Sequence, residues 1–387
     1  MSTGEVNALT SRIYVELDQA RTAGAFSAAA VAVSVAGHTE VLDAIGDLAV
    51  VNDHGDPIAA WEREPADIET LFDLASVTKV YSAHTFLRLV EKGILGLDEP
   101  IATWLPAYGD GAKRAVTLRH LLTHTSGLPA TWNGWRSPLA RVLAHRRADE
   151  PALTDTPLAD RDALLADLES IPLGAEPGTR WEYACTGFNT AMLVAERATG
   201  RRWEELLLAE TLEPLGLADT TVRPERHRAA ASEWQPELAR GTIRGIVHDE
   251  SSWSLGGGAA NAGLFASAAD VLAFAEAIRL GQTGPMQAMM WEDQLPCVLP
   301  VPTNSGHPGF GASLGLRIGE TSLIGDASKS VRGHTGFTGT SIAIDRDAEW
   351  SFVLLTNRVH PSRANDGVNV LRARIADIFR HHADGTR

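Results

Sequence analysis

The chain has 387 residues, 44% of them hydrophobic and 21% charged, which suits a globular protein of two or three domains. Its net charge of −15 argues against nucleic acid and anionic membranes as partners, because both attract basic surfaces. Two cysteines, Cys185 and Cys297, make no disulfide framework. The N-terminus lacks a secretory pattern and the apolar run 28–37 is about half the roughly 20 residues that span a bilayer, so we expect a cytoplasmic protein.

The first predicted elements are a helix and a pair of strands. Apolar residues recur at spacings of three and four and predict an amphipathic helix over 6–21, through Val6, Leu9, Ile13, Leu17 and Ala20. Residues 28–36 and 39–45 then predict two strands around a turn at Gly37-His38. The long middle part of the chain, about 60–300, is mostly helical pattern interrupted by proline and glycine loops.

The end of the chain predicts a second pair of strands, at 338–345 and 349–357. A closing helix follows, with one apolar face formed by Val370, Leu371, Ile375 and Ile378. Strands at both ends with helices between them predict an α+β fold, in which one sheet is built from both termini. We therefore predict a sheet region at 1–60 and 300–387, and an inserted, mainly helical region at 61–299.

Ser76 and Lys79 lie one helical turn apart at the start of a predicted helix that ends near Gly93. At this spacing the two side chains share a face, with about 5–6 Å between their Cβ atoms. The amine could take the serine proton if burial lowered its pKa. The alternative is a serine that caps the helix and a solvated lysine, and this short pattern alone does not choose between them.

Five blocks of sequence occur in the order found in one known family. They are LFDLASVTKVYSAHTFLRLVEKGILGLDEPIATWLP, VTLRHLLTHTSGLP, PGTRWEYACTGFN, GGGAANAGLFASAADVLAF and HTGFTGTSIAID…VLLTNRVHP. Over about residues 25–380 the chain resembles the serine β-lactamase and penicillin-binding-protein-like superfamily, in the branch of class C β-lactamases and family VIII carboxylesterases. The resemblance implies a β-lactamase/transpeptidase-like α+β fold, with an antiparallel sheet flanked by helices.

The resemblance also implies roles for the first two motifs. Ser76 would be acylated by the substrate, Lys79 would help to deprotonate it, and Tyr183 would share the proton transfer. Family members carry asparagine two residues after this tyrosine, where its amide contacts the acyl-amide group of the substrate. Here the residue is Cys185, which lacks this amide, so the resemblance does not imply recognition of amide-bearing β-lactams. We expect Cys185 to be a wall residue rather than a nucleophile.

The third motif reads His334-Thr335-Gly336, where β-lactamases have lysine at the first position. A histidine that is neutral near pH 7 would bind a substrate carboxylate more weakly than lysine does. The family geometry implies an oxyanion hole made by the backbone N–H groups of Ser76 and Phe337. From the second and third motifs together, we expect small activated esters to be better substrates than β-lactams.

Other signals are interpreted as structural. His120 and His124 have the spacing of a zinc-binding helix, but the required glutamate is absent, so we expect neither a metal nor a cofactor. Residues 247–252 are expected to form a surface loop rather than a border of the active site. Three loop tryptophans are expected to pack in the core: Trp132, Trp135 and Trp253.

The sequence therefore predicts a serine acyl-transfer enzyme that cleaves an ester or amide of a small molecule through an acyl-Ser76 intermediate. An alternative is an acyltransferase that passes the acyl group to an amine or alcohol acceptor. A third possibility is a non-catalytic binding protein on the same scaffold. The expected partner is a small-molecule acyl donor, with neither nucleic acid nor membrane involved.

Overall fold

The computed structural model describes residues 3–147, 150–154, 160–299, 308–325 and 330–385. Its α-helices are α1 Thr3–Thr22, α2 Thr78–Glu91, α3 Leu118–Leu122, α4 Arg136–Leu143, α5 Arg161–Ser170, α6 Cys185–Thr199, α7 Trp203–Leu207, α8 Glu250–Ser254, α9 Ala268–Leu280, α10 Ala288–Trp291, α11 Leu295–Val298, α12 Thr321–Ile324 and α13 Val368–Gly385. Its strands are β1 Ala28–Val35, β2 His38–Gly46, β3 Phe72–Asp73, β4 Thr220–Thr221, β5 Trp234–Gln235, β6 Gly241–Thr242, β7 Phe265–Ala266, β8 Gly311–Ala312, β9 Arg317–Ile318, β10 Arg332–Thr335, β11 Ser341–Asp345 and β12 Trp350–Thr356.

The main sheet is antiparallel and contains strands from both ends of the chain, as the sequence predicts. Its strand order is β2-β1-β12-β11-β10-β9-β8. The N-terminal strand β1 pairs with β12, with Val31 opposite Leu354. The fold is therefore the expected α+β arrangement, and β10 is an interior strand between β11 and β9, three strands away from β1.

Both faces of this sheet are buried, which explains why β1 is apolar at almost every position. Ala28, Ala30 and Ala32 belong to one apolar core, which also includes residues of α2 and α9. The alternate side chains face a second core that includes α1 and α13: Ala29, Val31 and Val33. Successive side chains of a strand point to opposite faces, so one strand supplies both cores.

The region between the terminal strands is helical in its main part but contains two small sheets as well. Strands β3, β7 and β4 form one of these sheets, and β5 and β6 form the other. Helix α9 of the same region packs against β1, β11 and β12 of the main sheet. None of the described helices has both the length and the apolar composition needed to cross a membrane.

The segment 141–161 is described only in part, at 141–147, 150–154 and 160–161. Most of its described residues are exposed, but Leu153 is buried and its N–H donates to the carbonyl of Ala239 at 2.7 Å. Trp253 donates through Nε1 to the carbonyl of Thr154. The buried Leu153 and these two hydrogen bonds anchor the connection to the core.

Candidate active site

Ser76 lies in a single 3₁₀ turn, Ala75–Val77, directly before helix α2. Ala75 has a φ of 45°, a left-handed conformation that costs an alanine about 1–3 kcal/mol. Its N–H donates to Asp73 Oδ1 at 2.8 Å, and the other oxygen of this buried carboxylate accepts the N–H of His248 at 2.7 Å. The hydrogen bonds to Asp73 thus hold the strained turn in place, and the turn positions Ser76 at the start of helix α2.

Lys79 is completely buried and reaches back to the serine. Its Nζ donates to Ser76 Oγ at 3.0 Å and to the carbonyl oxygen of Asn261 at 2.9 Å, and it lies 3.4 Å from Cys185 Sγ. The serine and the lysine therefore form the expected hydrogen-bonded pair. The interpretation as a solvated surface lysine is excluded by this burial.

The charge state of Lys79 follows from opposing effects. Burial by itself lowers the pKa of Lys79, whereas Cys185, Tyr183 and Asp249 raise it through their negative charge when ionised, and the net pKa lies above its ordinary value. The ammonium also lies 5.1 Å from the ring centre of Tyr183 and 5.6 Å from that of Phe188, which favours a cation. A cationic Lys79 stabilises negative charge on its neighbours, and a group beside it can share the transfer of the serine proton.

Tyr183 is the neighbouring group that can accept this proton. Its hydroxyl oxygen is buried and has no hydrogen-bond partner in the described part of the chain. Its ring packs against His124, with 4.6 Å between ring centres, and against His334 at 6.0 Å. An unpaired phenol oxygen beside the lysine can exchange protons with the serine, a leaving group or an incoming acceptor.

The two histidines of the HLLTH segment have structural roles. The Nδ1 atom of His120 accepts the N–H of Thr117 at 3.2 Å and so caps the start of α3. The Nδ1 atom of His124 accepts the N–H of Ala184 at 3.2 Å, directly after Tyr183. Burial lowers the pKa of His124 well below its ordinary value, so the ring is neutral and holds the tyrosine segment in place.

The third motif ends in a tight turn that is fastened to the nucleophile segment. Gly339 donates to the carbonyl of Gly336 at 3.0 Å, and the hydroxyls of Thr338 and Thr340 donate to the carbonyls of Asp73 and Leu74 at 2.6 and 2.8 Å. This turn explains why β11 begins three residues later than the sequence predicts. It also places Phe337 beside Ser76, and the Phe337 N–H has no partner in the described chain.

A glycine is required at the start of this turn. A Cβ atom at Gly336 would lie 2.1 Å from Thr340 Oγ1 and 2.5 Å from the carbonyl oxygen of Leu74. Because backbone cannot yield at such distances, any side chain here would push the turn away from the serine. The close approach supports the implied oxyanion hole, since both N–H groups depend on this spacing.

His334 lies beneath the site rather than on its surface, being 2% exposed. Burial, with Arg317 and Lys79 nearby, lowers the pKa of His334 well below its ordinary value, so it carries no charge for a substrate. The sequence interpretation missed Arg317, which lines the cavity, donates to Thr335 Oγ1 at 2.8 Å and forms an ion pair with Glu320. A permanent cation is thus present, which removes one of the two reasons for expecting β-lactams to be poor substrates, the lack of a charge for their carboxylate.

The site opens into a cavity of about 550 Å³. The cavity is lined by Ser76 and by the end of the third-motif segment, Thr335, Gly336 and Phe337. Its other walls include Tyr183, Cys185, Trp181, Ala262, Arg358, Arg363 and Arg372. Trp132, Trp135 and Trp253 are buried in the core, as expected. The aromatic walls of the cavity include Trp181 and Phe337 instead. Spacing along the sequence could not show this, because these residues come from distant segments.

The segment 247–252 was expected to be a surface loop, and this expectation is wrong. His248, Asp249 and Glu250 line the cavity, and His248 is only 4% exposed. The ring of His248 stacks on Phe337 with 5.7 Å between the ring centres. Adjacent histidine and acidic residues were the available signal, but only the packing of the loop onto Asp73 and Phe337 brings them to the site.

Cys185 is the first residue of α6, is partly exposed and faces the cavity beside Lys79. Its N–H donates to the carbonyl of Ala130 at 2.8 Å, which fixes the start of the helix. The thiol therefore occupies the motif position, two residues after Tyr183, at which the resembled family carries the side-chain amide of asparagine. Cys297, the other cysteine, is exposed and is not among the residues that line the cavity.

Comparisons with known proteins agree with this geometry. A family model described as Beta-lactamase matches residues 17–376. Esterase EstB of Burkholderia gladioli is 34% identical over 267 residues, which cover 61% of this chain and 66% of EstB. The structure of EstCE1, described as a hydrolase with promiscuous acyltransferase activity, has a TM-score of 0.67 at 22% identity, covering 97% of this chain and 99% of EstCE1. A class C beta-lactamase has a TM-score of 0.69 at 14% identity, covering 96% of each chain.

The architecture and the serine–lysine pair define an enzyme class, that of the serine hydrolases and acyltransferases with a β-lactamase/transpeptidase-like fold. The family match extends over nearly the whole chain, and the chain therefore belongs to the beta-lactamase family. The alignment with EstB spans about two thirds of the length of that esterase.

Proposed function

We propose that this protein is a serine acyl-transfer enzyme that cleaves a small-molecule ester through an acyl-Ser76 intermediate. The observation that carries the proposal is the 3.0 Å contact between Ser76 Oγ and the buried ammonium of Lys79, at the floor of an open cavity. Tyr183 takes the serine proton and returns it to the leaving group, while the N–H groups of Ser76 and Phe337 bind the oxyanion. An esterase is among the relatives, which supports an ester as donor.

The proposal is tested by covalent labelling. Incubation with a fluorophosphonate probe, followed by digestion and mass spectrometry, is expected to place the adduct on Ser76, and Ser76→Ala is expected to abolish it. Cys185→Ser is the matched control, because it removes the other nucleophile that faces the cavity. An adduct on Cys185, or unchanged labelling of Ser76→Ala, would refute the assignment.

A second candidate, transfer to an amine or alcohol, is favoured by the size of the cavity. A volume of about 550 Å³ leaves room for an acceptor beside the acyl group, and Trp181 and Phe337 supply apolar walls. The described similarity to EstCE1, a hydrolase with promiscuous acyltransferase activity, supports this extension. Mass spectrometry of the products from a p-nitrophenyl ester and a panel of millimolar amines and alcohols distinguishes the two, since free acid alone would leave hydrolysis as the function.

A further inference from the structure

The carbonyl group that accepts a hydrogen bond from Lys79 belongs to Asn261, and two hydrogen bonds fix the side chain of Asn261. Its Nδ2 donates to Asp249 Oδ1 at 3.2 Å, and its Oδ1 accepts the hydroxyl of Ser252 at 2.8 Å. The N–H of Ser252 donates to the same Asp249 oxygen at 2.8 Å. Asn261 is fully buried, whereas Asp249 lines the cavity. A network of hydrogen bonds thus connects a carboxylate to the ammonium beside Ser76.

The carboxyl group of Asp249 is ionised near neutral pH. Burial by itself raises the pKa of Asp249. The hydrogen bonds that this carboxyl group accepts and the positive charge of Lys79 outweigh burial, so the net pKa lies below its ordinary value. The donors of these hydrogen bonds are Ser251, Ser252 and Asn261. The network therefore has a negative charge at one end and Lys79 at the other.

The titratable side chains that face Lys79 come from separate segments: Cys185, Tyr183, His124, His334 and Asp249. Burial lowers the pKa of both histidines well below its ordinary value, so their rings are neutral. Cys185 and Tyr183 carry a negative charge only after they lose a proton. Among these side chains, Asp249 is thus the group that carries a negative charge while the thiol and the phenol are protonated.

Other charged groups near Asp249 have partners of their own. Arg240 donates to Gln235 at 3.1 Å and to two backbone carbonyls of the same loop. Asp73, whose pKa is raised by burial, binds the turn that carries Ser76. In the described part of the chain, neither Arg240 nor Asp73 has a hydrogen bond to Asp249. The direct hydrogen-bonded connection from Asp249 to a cation is therefore the one that leads through Asn261 to Lys79.

We propose that Asp249 is a positioning residue of the acyl-transfer reaction, which fixes the Asn261 carbonyl against Lys79 and supplies the negative charge that keeps this lysine protonated. The inference rests on the proposed function and adds a residue to the same site. An ammonium has three N–H donors, and those of Lys79 are directed at Ser76, Cys185 and Asn261. A direct ion pair would displace one of these contacts, whereas a carboxylate that acts through Asn261 leaves the contact with the serine in place.

Asp249→Asn tests the charge. Asparagine keeps an oxygen for the N–H of Ser252 and remains suited to cap α8, so the variant loses the charge rather than the network. The chain has four lysines, so NMR with lysine-selective isotope labelling is simple to assign, and Lys79→Ala identifies the signal of Lys79. We expect this signal to titrate at lower pH in Asp249→Asn than in the unmodified protein. The alkaline limb of the pH profile of kcat/KM, measured with an activated ester, is expected to move in the same direction.

Asp366→Asn is the matched control for the loss of a carboxylate from the cavity wall. Asp366 also lines the cavity, but it belongs to the segment before α13, and its charge acts on Arg358. The titration of Lys79 is expected to be unchanged in this variant. An equal shift in Asp249→Asn and Asp366→Asn would reveal a general effect of charge and would overturn the proposal.

Asn261→Ala tests the positioning. This variant keeps the backbone carbonyl and the charge of Asp249, but it removes both hydrogen bonds that fix the side chain. We expect kcat to fall about 10-fold or more, because the ammonium is no longer held in place, while the alkaline limb stays where it is. Ser252→Ala removes one of the two hydrogen bonds, and a smaller loss in the same direction is expected. This milder variant decides the point if Asn261→Ala does not fold, and full kcat in the folded variants overturns the positioning role.

The outcomes distinguish this proposal from the proposed function. A Lys79 signal that Asp249→Asn leaves unchanged, up to the highest pH at which the variant is folded, overturns the role of Asp249. Labelling of Ser76 by the fluorophosphonate probe would in that case still support the acyl-transfer function. Failure of every probe and ester to acylate Ser76 overturns the function, and with it the catalytic part of this inference, whatever the titration of Lys79 shows.

Discussion

Lys79 is a buried cation whose direct partners are a hydroxyl, a thiol and a carbonyl oxygen, and no ion pair to a carboxylate is found for it in the described residues. A buried charge without a direct counter-ion is unfavourable in the resting protein. The same ammonium stabilises negative charge as it forms on Ser76 or on Tyr183. The site thus gives up some folding stability for electrostatic stabilisation of the reacting groups.

If Lys79 and Tyr183 move the same protons, their contributions to catalysis do not add. We expect Lys79→Ala and Tyr183→Phe each to lower kcat by about 10²–10⁴-fold. We expect the kcat of the double variant to be only slightly lower than that of the less active single variant, as found for residues that act as a unit. Steady-state kinetics with an activated ester measures all three.

Lys92→Ala is the control for removal of a lysine from the same helical segment. Lys92 follows the end of α2, and its exposed side chain pairs with Glu210 away from the cavity, so kcat is expected to change little. Additive losses of log kcat in the Lys79 and Tyr183 variants would instead show that one of the two residues only supports the structure.

At the scale of elements, the turn after β10 joins the sheet to the nucleophile. The hydroxyls of Thr338 and Thr340 bond the carbonyls of Asp73 and Leu74, while β3 itself pairs only with β7 of a small separate sheet. The main sheet and the helical region therefore meet directly beside Ser76, where the proposed oxyanion hole lies. A local change in this turn is therefore expected to shift the segment that carries Ser76.

Gly336→Ala tests this junction. The new Cβ would meet Thr340 Oγ1 and the Leu74 carbonyl at 2.1 and 2.5 Å, so the turn has to move. We expect a loss of about 1–3 kcal/mol in the free energy of unfolding from overpacking and a fall in kcat of about 10²-fold from the displaced oxyanion donors. Urea unfolding and ester kinetics measure the two effects separately.

Gly174→Ala is the matched control, because a Cβ there finds its nearest neighbour at 3.6 Å, an ordinary contact distance. Both quantities are expected to remain close to those of the unmodified protein. A Gly336→Ala variant with full activity would mean that the turn does not set the position of the oxyanion hole.

At the scale of the whole molecule, the buried histidines of the described chain include four from different regions: His84, His124, His334 and His360. Burial lowers the pKa of all four below 6.5, and those of His84 and His360 reach about 4. Unfolding returns each imidazole to water and to its ordinary pKa. Below pH 6.5 the unfolded chain therefore binds more protons than the folded chain, and stability falls as the pH falls.

We expect the free energy of unfolding to decrease between pH 7.5 and 5.5, with about 1.4 kcal/mol each from His84 and His360, whose pKa values lie at about 4. Urea unfolding at the two pH values measures the difference. His84→Asn is expected to reduce the difference by about 1.4 kcal/mol, whatever its effect on stability at pH 7.5. His227→Gln, at an exposed position, should leave it unchanged, and equal differences in both variants would contradict the argument.

The sequence by itself determined the elements whose patterns are local. Helix α1, the strands of the N-terminal hairpin, β12 and the closing helix follow from periodicity, because one buried face repeats every 3.6 or two residues. Order along the chain also identified Ser76, Lys79 and Tyr183, which the structure brings together around one cavity. Ser76 and Lys79 lie one helical turn apart, so their spacing predicts their contact, whereas Tyr183 was assigned by the resemblance and reaches them only in the folded chain.

Only the tertiary structure decided what surrounds those motifs. Arg317, His248 and Asp249 reach the cavity from segments far apart in the sequence, and no periodicity reports which loops will meet. The burial of His334 likewise depends on packing against Tyr183, which a motif cannot show. The serine–lysine pair is thus set by short-range sequence, whereas the approach of Tyr183 and the charge and hydrogen-bonding character of the substrate pocket arise from long-range contacts, because burial and proximity are properties of the folded chain.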